Sequence, residues 1–89
     1  MSILSDIKKR LRITGNSLDD VIQANIEAAI TDLEDAGIDS MIADAKIMKA
    51  IEIYCKWQLN FNGEADRYEQ NYQKLSDTME KQTAHRLED

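Results

Sequence analysis

Residues 44–63, DAKIMKAIEIYCKWQLNFNG, hold the chain's single Trp, single Phe and single Cys. With residues placed at the helical period, Lys46, Lys49, Glu52, Lys56 and Asn60 fall in one arc roughly 120° wide. Ile47, Met48, Ile51, Tyr54, Cys55, Trp57, Leu59 and Phe61 cover nearly everything else. An apolar face that broad predicts a central helix sheltered by neighbours on at least two sides. Two residues break the pattern. Gln58 points into the apolar face, where an unpaired amide would cost about 1–3 kcal/mol, so it is expected to find a hydrogen-bonding partner. Ile53 falls within the polar arc, as an exposed aliphatic at a subunit contact would.

The elements on either side follow from the breakers. The chain has 89 residues, no Pro and three Gly, and Gly15, Gly37 and Gly63 divide it into four segments with helical patterning. The reading is an all-α bundle of about four helices, over residues 5–12, 17–36, 44–61 and 64–83, and no segment alternates with the period of a strand. Residues 1–83 form one domain and 84–89 a flexible tail, because QTAHRLED has no apolar pattern. Ser5 or Ser2 is expected to cap the first helix, and Ser17 the second, with Asp20 completing a weak capping box. Thr14-Gly15-Asn16 supplies turn residues tolerant of positive φ, and Gly37 is the expected C′ residue of the second helix. Asp44 is the expected N-cap of the third helix. Leu18, Val21, Ile22, Ile26, Ala29, Ile30 and Leu33 mark the inner face of the second helix. Tyr68, Tyr72, Leu75 and Met79 form a narrow seam on the fourth. The expected core is built on Leu11, Ile22, Ile26, Ile30, Ile47, Ile51, Tyr54, Cys55, Tyr68 and Tyr72.

Charge is segregated along the chain. Residues 1–12 carry Lys8, Lys9, Arg10 and Arg12 against one acid, and residues 13–45 carry eight acids with no Lys or Arg. The net charge of −6 argues against bulk affinity for nucleic acid. Asp32, Glu34 and Asp35 stand in the last turns of the second helix, where the helix dipole disfavours anions. Local stability does not explain that placement, which reads either as a solubilising face or as a partner surface.

Catalytic and metal chemistry have little to build on. His85 is the only histidine, so no His-based acid–base pair or metal cluster can be assembled. No Gly-rich phosphate loop or calcium-loop spacing occurs. The expectation is a protein that is not an enzyme and takes no cofactor. The lone Cys55 suits a reducing compartment. Neither a signal peptide nor a membrane-spanning apolar run is present, so no membrane partner is expected.

The segments LSDIKKRLRI (4–13), SLDDVIQANIEAAITDLEDAGI (17–38) and DAKIMKAIEIYCKWQLNFNGEADRYEQNYQKL (44–75) resemble the small helical head-tail connector, or DNA-packaging adaptor, proteins of tailed bacteriophages. The similarity runs over about residues 3–80. Its most specific part is WQLNFNGEADRYEQNYQKL (57–75): an aromatic helix end, an Asn-Phe-x-Gly turn and a Tyr-x3-Tyr helix. The resemblance implies a structural protein of a phage or prophage virion, made in the host bacterial cytoplasm. About twelve copies would form a ring beneath the portal protein, meet a tail or stopper protein, and extend a channel through which DNA passes without sequence-specific contact.

The segregated charge suits such a ring, because a head-to-tail interface joins two different patches of one surface. In the pairing expected, Lys8, Lys9, Arg10 and Arg12 of one subunit face Asp32, Glu34 and Asp35 of the next, with Ile53 nearby. An acidic channel wall would also repel DNA. Alternatively, the basic run itself faces DNA in the channel. A different class, a small helical DNA-binding or regulator-sequestering protein, fits less well: no helix combines basic and amide residues on an exposed face as a recognition helix does.

Overall fold

The computed structural model describes residues 3–39 and 45–81. Four α-helices follow one another: α1 (Ile3–Leu11), α2 (Asp19–Asp35), α3 (Ala45–Gln58) and α4 (Ala65–Lys81), with a short 3-10 turn at Phe61–Gly63 before the last. The fold is an all-α bundle of four helices. Its hub is α3, which packs against α1, α2 and α4, as the breadth of its apolar face requires. α1 also touches α2, whereas α4 lies chiefly along α3.

One core runs through these contacts. It gathers Ile7 and Leu11 from α1, Ile22, Ile26, Ala29 and Leu33 from α2, then Ile38, and Ile47, Ala50, Ile51, Ile53 and Cys55 from α3, with Tyr72 and Met79 from α4. Ile30, Tyr54 and Tyr68 are half-buried against it. Burial, with the Glu52 charge adding to it, pushes the Cys55 thiol up to about 12. The thiol therefore packs as a small hydrophobe.

The surroundings of α3 differ from its wheel in two ways. Glu52 and Ile53, assigned by period to a solvated arc, are buried at 5% and 9% exposure. The C-terminal half of α1 docks there, with Arg10 reaching Glu52, so mid-helix α3 is enclosed on nearly every side. Ile53 is accordingly a core residue and no exposed aliphatic. Gln58, the last residue of α3, is exposed, while Trp57, Leu59 and Phe61 around it take the places against the core.

Helix ends are set mostly by the backbone. Ser5 lies inside α1, whose first described residue is Ile3, and so is no cap. α2 begins at Asp19 after Leu18 with no side-chain cap, so the Ser17–Asp20 box does not form. The Asp19 amide donates to Asn16 O at 3.2 Å instead. At the end of α2 the Ile38 amide donates to Leu33 O and the Gly37 amide to Glu34 O, both at 2.9 Å. With Gly37 at φ 82 this is a Schellman motif, and its apolar clasp is Ile38 on Leu33, both fully buried.

The same motif ends α1, where Ile13 donates to Lys8 O at 2.9 Å and Arg12 to Lys9 O at 3.1 Å. The left-handed residue there is Arg12, at φ 60, and Gly15 keeps an ordinary φ. The expected turn glycine thus sits three residues past the position that needs one.

Asn60 joins α3 to α4. It takes φ 48 to stop α3, and its side-chain Oδ1 accepts the Ala65 amide at 3.1 Å. Asn62 and Gly63 follow at φ 56 and 71, which accounts for the Asn-Phe-Asn-Gly composition of the corner. The expected Asp44 and Ser2 caps and the 84–89 tail lie outside the described residues.

Candidate interaction surfaces

Glu52 is the electrostatic centre of the subunit. Its Oε1 accepts Arg10 Nη1 at 3.1 Å, and its Oε2 lies 3.0 Å from Lys56 Nζ and 3.5 Å from Lys49 Nζ. Burial alone would raise this carboxyl, but hydrogen bonds from Lys56 and Arg10 and the charge of Lys49 outweigh it and hold the group below its ordinary value. Lys56 also lies over two rings, 5.8 Å from the centre of Phe61 and 5.6 Å from that of Tyr68, within the range of cation–π attraction. One carboxylate and three cations therefore join α1, α3 and the corner leading to α4. More positive charge than negative is left on that side of the molecule.

The four basic residues of the first segment have different fates. Lys8 is held inside the subunit, 2.7 Å from Asp19 Oδ1 and 3.1 Å from Asn16 Oδ1. Asp19 Oδ1 is shielded from solvent and has no well-aligned hydrogen bond, so the Lys8 ammonium is what compensates it. Arg10 serves Glu52 while staying partly exposed. Lys9 and Arg12 are exposed.

The acidic residues divide in the same way. The Tyr72 hydroxyl donates to Asp32 Oδ2 at 2.7 Å, so Asp32 is committed to α4 within the subunit. Burial comes first in raising the Tyr72 hydroxyl pKa, followed by the Asp32 hydrogen bond and charge. The Tyr72 ring stands edge-on to Tyr54, with centroids 5.2 Å apart, and Tyr54 stands edge-on to Trp57 at 5.3 Å, geometries that aromatic quadrupoles favour. Burial, then Asp32, also raises the Tyr54 hydroxyl. Glu34 and Asp35 are exposed on α2. The structure thus brings Arg10 to Glu52 and Tyr72 to Asp32, two pairings that helical period alone does not reveal.

Sequence reasoning also missed surface features. Leu18 and Val21, assigned to the inner face of α2, are exposed at 42% and 47%. The stripe that is buried, Ile22, Ile26, Ala29 and Leu33, is offset from them, and α2 is anchored by α1 and α3 on that side only. Lys49 and Lys56 also belong to the cationic side, a placement that needed the docking of α1 to become visible. Among the described residues, no cluster of three or more His, Cys, Asp or Glu is placed to hold a metal ion, and no helix is long and apolar enough to cross a membrane. His85 lies outside the described residues.

The surfaces, then, offer charge and apolar contact. A family model for phage connector proteins matches residues 3–86, a span that takes in all four helices. The chain belongs to the phage connector family. Searches of curated proteins and of solved structures gave no match. Connectors are structural components of the virion, and a connector works through contacts with other virion parts, such as the portal or the tail. The WQLNFNGEADRYEQNYQKL segment, on which the resemblance chiefly rested, contains the Asn60 corner and the Tyr68–Tyr72 seam of this connector.

Proposed function

We propose that this connector assembles as a ring of about twelve copies beneath the portal, extends the DNA channel and carries the next tail or stopper component. The segregation of charge supports the reading. A cationic side formed by α1 and α3 and an acidic α2 are two different patches on one subunit, as a head-to-tail interface requires, and such an interface closes when its rotation allows. Of the residues first assigned to that pairing, Lys8 and Asp32 have partners inside the subunit and Ile53 is buried beneath α1. Exposed Lys9 and Arg12, with the exposed part of Arg10 beyond its pairing to Glu52, face Glu34 and Asp35 of the next copy. DNA passes without sequence-specific contact, and the net charge of −6 disfavours adhesion of its backbone. Assembly takes place in the host cytoplasm, with a phage or prophage virion as the destination.

The test is reconstitution. Purified protein is mixed with capsids that carry their portal and imaged by cryo-electron microscopy. The expected outcome is ring density at the portal vertex alone. Failure to co-sediment with such capsids at saturating protein would overturn the proposal.

A further inference from the structure

We infer that the outer side of α2, with exposed Leu18 and Val21 at its apolar edge, is the docking surface for the α1–α3 cationic ridge of a second copy of the chain. This rests on the ring reading and says which surfaces meet. Asp20, Val21, Glu27 and Asp35 fall within about 120° of arc on the side of α2 away from the core, and all four are exposed. Leu18 stands one turn before Val21, at the start of the helix. Exposed apolar residues rimmed by charge of one sign are characteristic of a contact surface. The charge there is entirely negative, so the surface that covers it must be basic.

The ridge has the matching character. Arg10 on α1 and Lys49 and Lys56 on α3 gather at the Glu52 joint, where three cations share one carboxylate and positive charge is in excess, and exposed Lys9 and Arg12 continue the positive charge at the C-terminal end of α1. Lys49 keeps a side-chain exposure of 55% and Arg10 one of 39%. DNA could neutralise the ridge but would leave Leu18 and Val21 uncovered on an acidic face. A second copy of the chain covers both surfaces with one contact, and the two lie on different helices, so each subunit can give and receive at once.

The experiment is a charge exchange. One variant carries Glu27→Lys and Asp35→Lys. The other carries Lys9→Glu and Arg12→Glu, with Arg10, Lys49 and Lys56 retained because all three compensate buried Glu52. Each opposes like charges in its own head-to-tail contact, which is costly, while alternating the two restores every pairing. Self-association is read by chemical cross-linking and by ring density on portal-bearing capsids, with helical circular dichroism as the folding control.

The expected result is wild-type assembly, weakening of about 100-fold in either variant alone, and recovery in the equimolar mixture. If wild type assembles and either variant alone assembles equally well, this interface is wrong while the ring reading stands. If wild type assembles neither in solution nor on capsids, both fall. Val21→Ser is an independent arm at an exposed position, removing the apolar contact without adding charge: undiminished assembly there would also overturn the inference.

Discussion

The Tyr72 hydroxyl donates a 2.7 Å hydrogen bond to Asp32 across 40 residues of chain, fastening α4 to α2 although the two helices share little other packing. Because Tyr72 is fully buried and Asp32 reaches solvent, Tyr72→Phe keeps the aromatic contacts and leaves an acceptor that water can satisfy. Hydrogen bonds to charged groups contribute about 1.5–3 kcal/mol. The exposure of Asp32 puts this one at the low end, and urea denaturation should show a loss of about 1–2 kcal/mol.

Glu52 gives the subunit an acid limit. Its folded pKa lies below the ordinary 4.5, so the unfolded chain binds the proton more tightly. The contribution is complete above about pH 4.5 and is lost as pH falls through the lowered folded value. Glu52→Gln should destabilise the protein at pH 7 by about 1–3 kcal/mol, since it leaves Arg10 and Lys56 facing each other over a neutral amide. It should also flatten the fall of melting temperature below pH 4.5. A variant whose acid limb coincides with wild type would show that another carboxylate governs it.

Arg12 and Gly15 occupy each other's natural positions. Arg12 holds φ 60, while Gly15 has an ordinary φ and open space where a Cβ would stand. Arg12→Gly should therefore stabilise the subunit by about 0.5–1 kcal/mol, and Gly15→Ala by about 0.4–1 kcal/mol, through the unfolded chain. Gly37→Ala, at φ 82, should do the reverse. Thermal unfolding of the three single variants checks the order.

Much of this fold was legible in the sequence because its helices are long and strongly periodic. The all-α bundle, the central role of α3, the Gly37 cap and the corner at Asn60 all follow from local pattern. What was not legible depends on docking between distant segments. Ile53 and Glu52 sit on the polar arc of an isolated helix, and only the arrival of Arg10, 42 residues away, makes that arc an interior. Lys8 and Asp32 read as surface charge until Asp19 and Tyr72 are brought to them. Leu18 and Val21 read as core because the first turn of α2 continues the apolar spacing, yet nothing among the described residues covers them.

The Asn60 corner bears on where this chain can change length. One residue closes α3 with its backbone and opens α4 with its side chain, so the joint has no slack. A residue inserted between Phe61 and Ala65 would separate the Asn60 carboxamide from the amide it caps. Carried into α4, it would turn the Tyr68–Tyr72 seam by about 100° and take Tyr72 away from Asp32. In the segment between α1 and α2 the ties lie at Arg12–Ile13 and at Asn16, whose carbonyl accepts Asp19 and whose side chain accepts Lys8, while Thr14 and Gly15 between them are exposed. Insertions and deletions that persist are therefore expected in that turn, while the α3–α4 joint keeps a fixed count of residues.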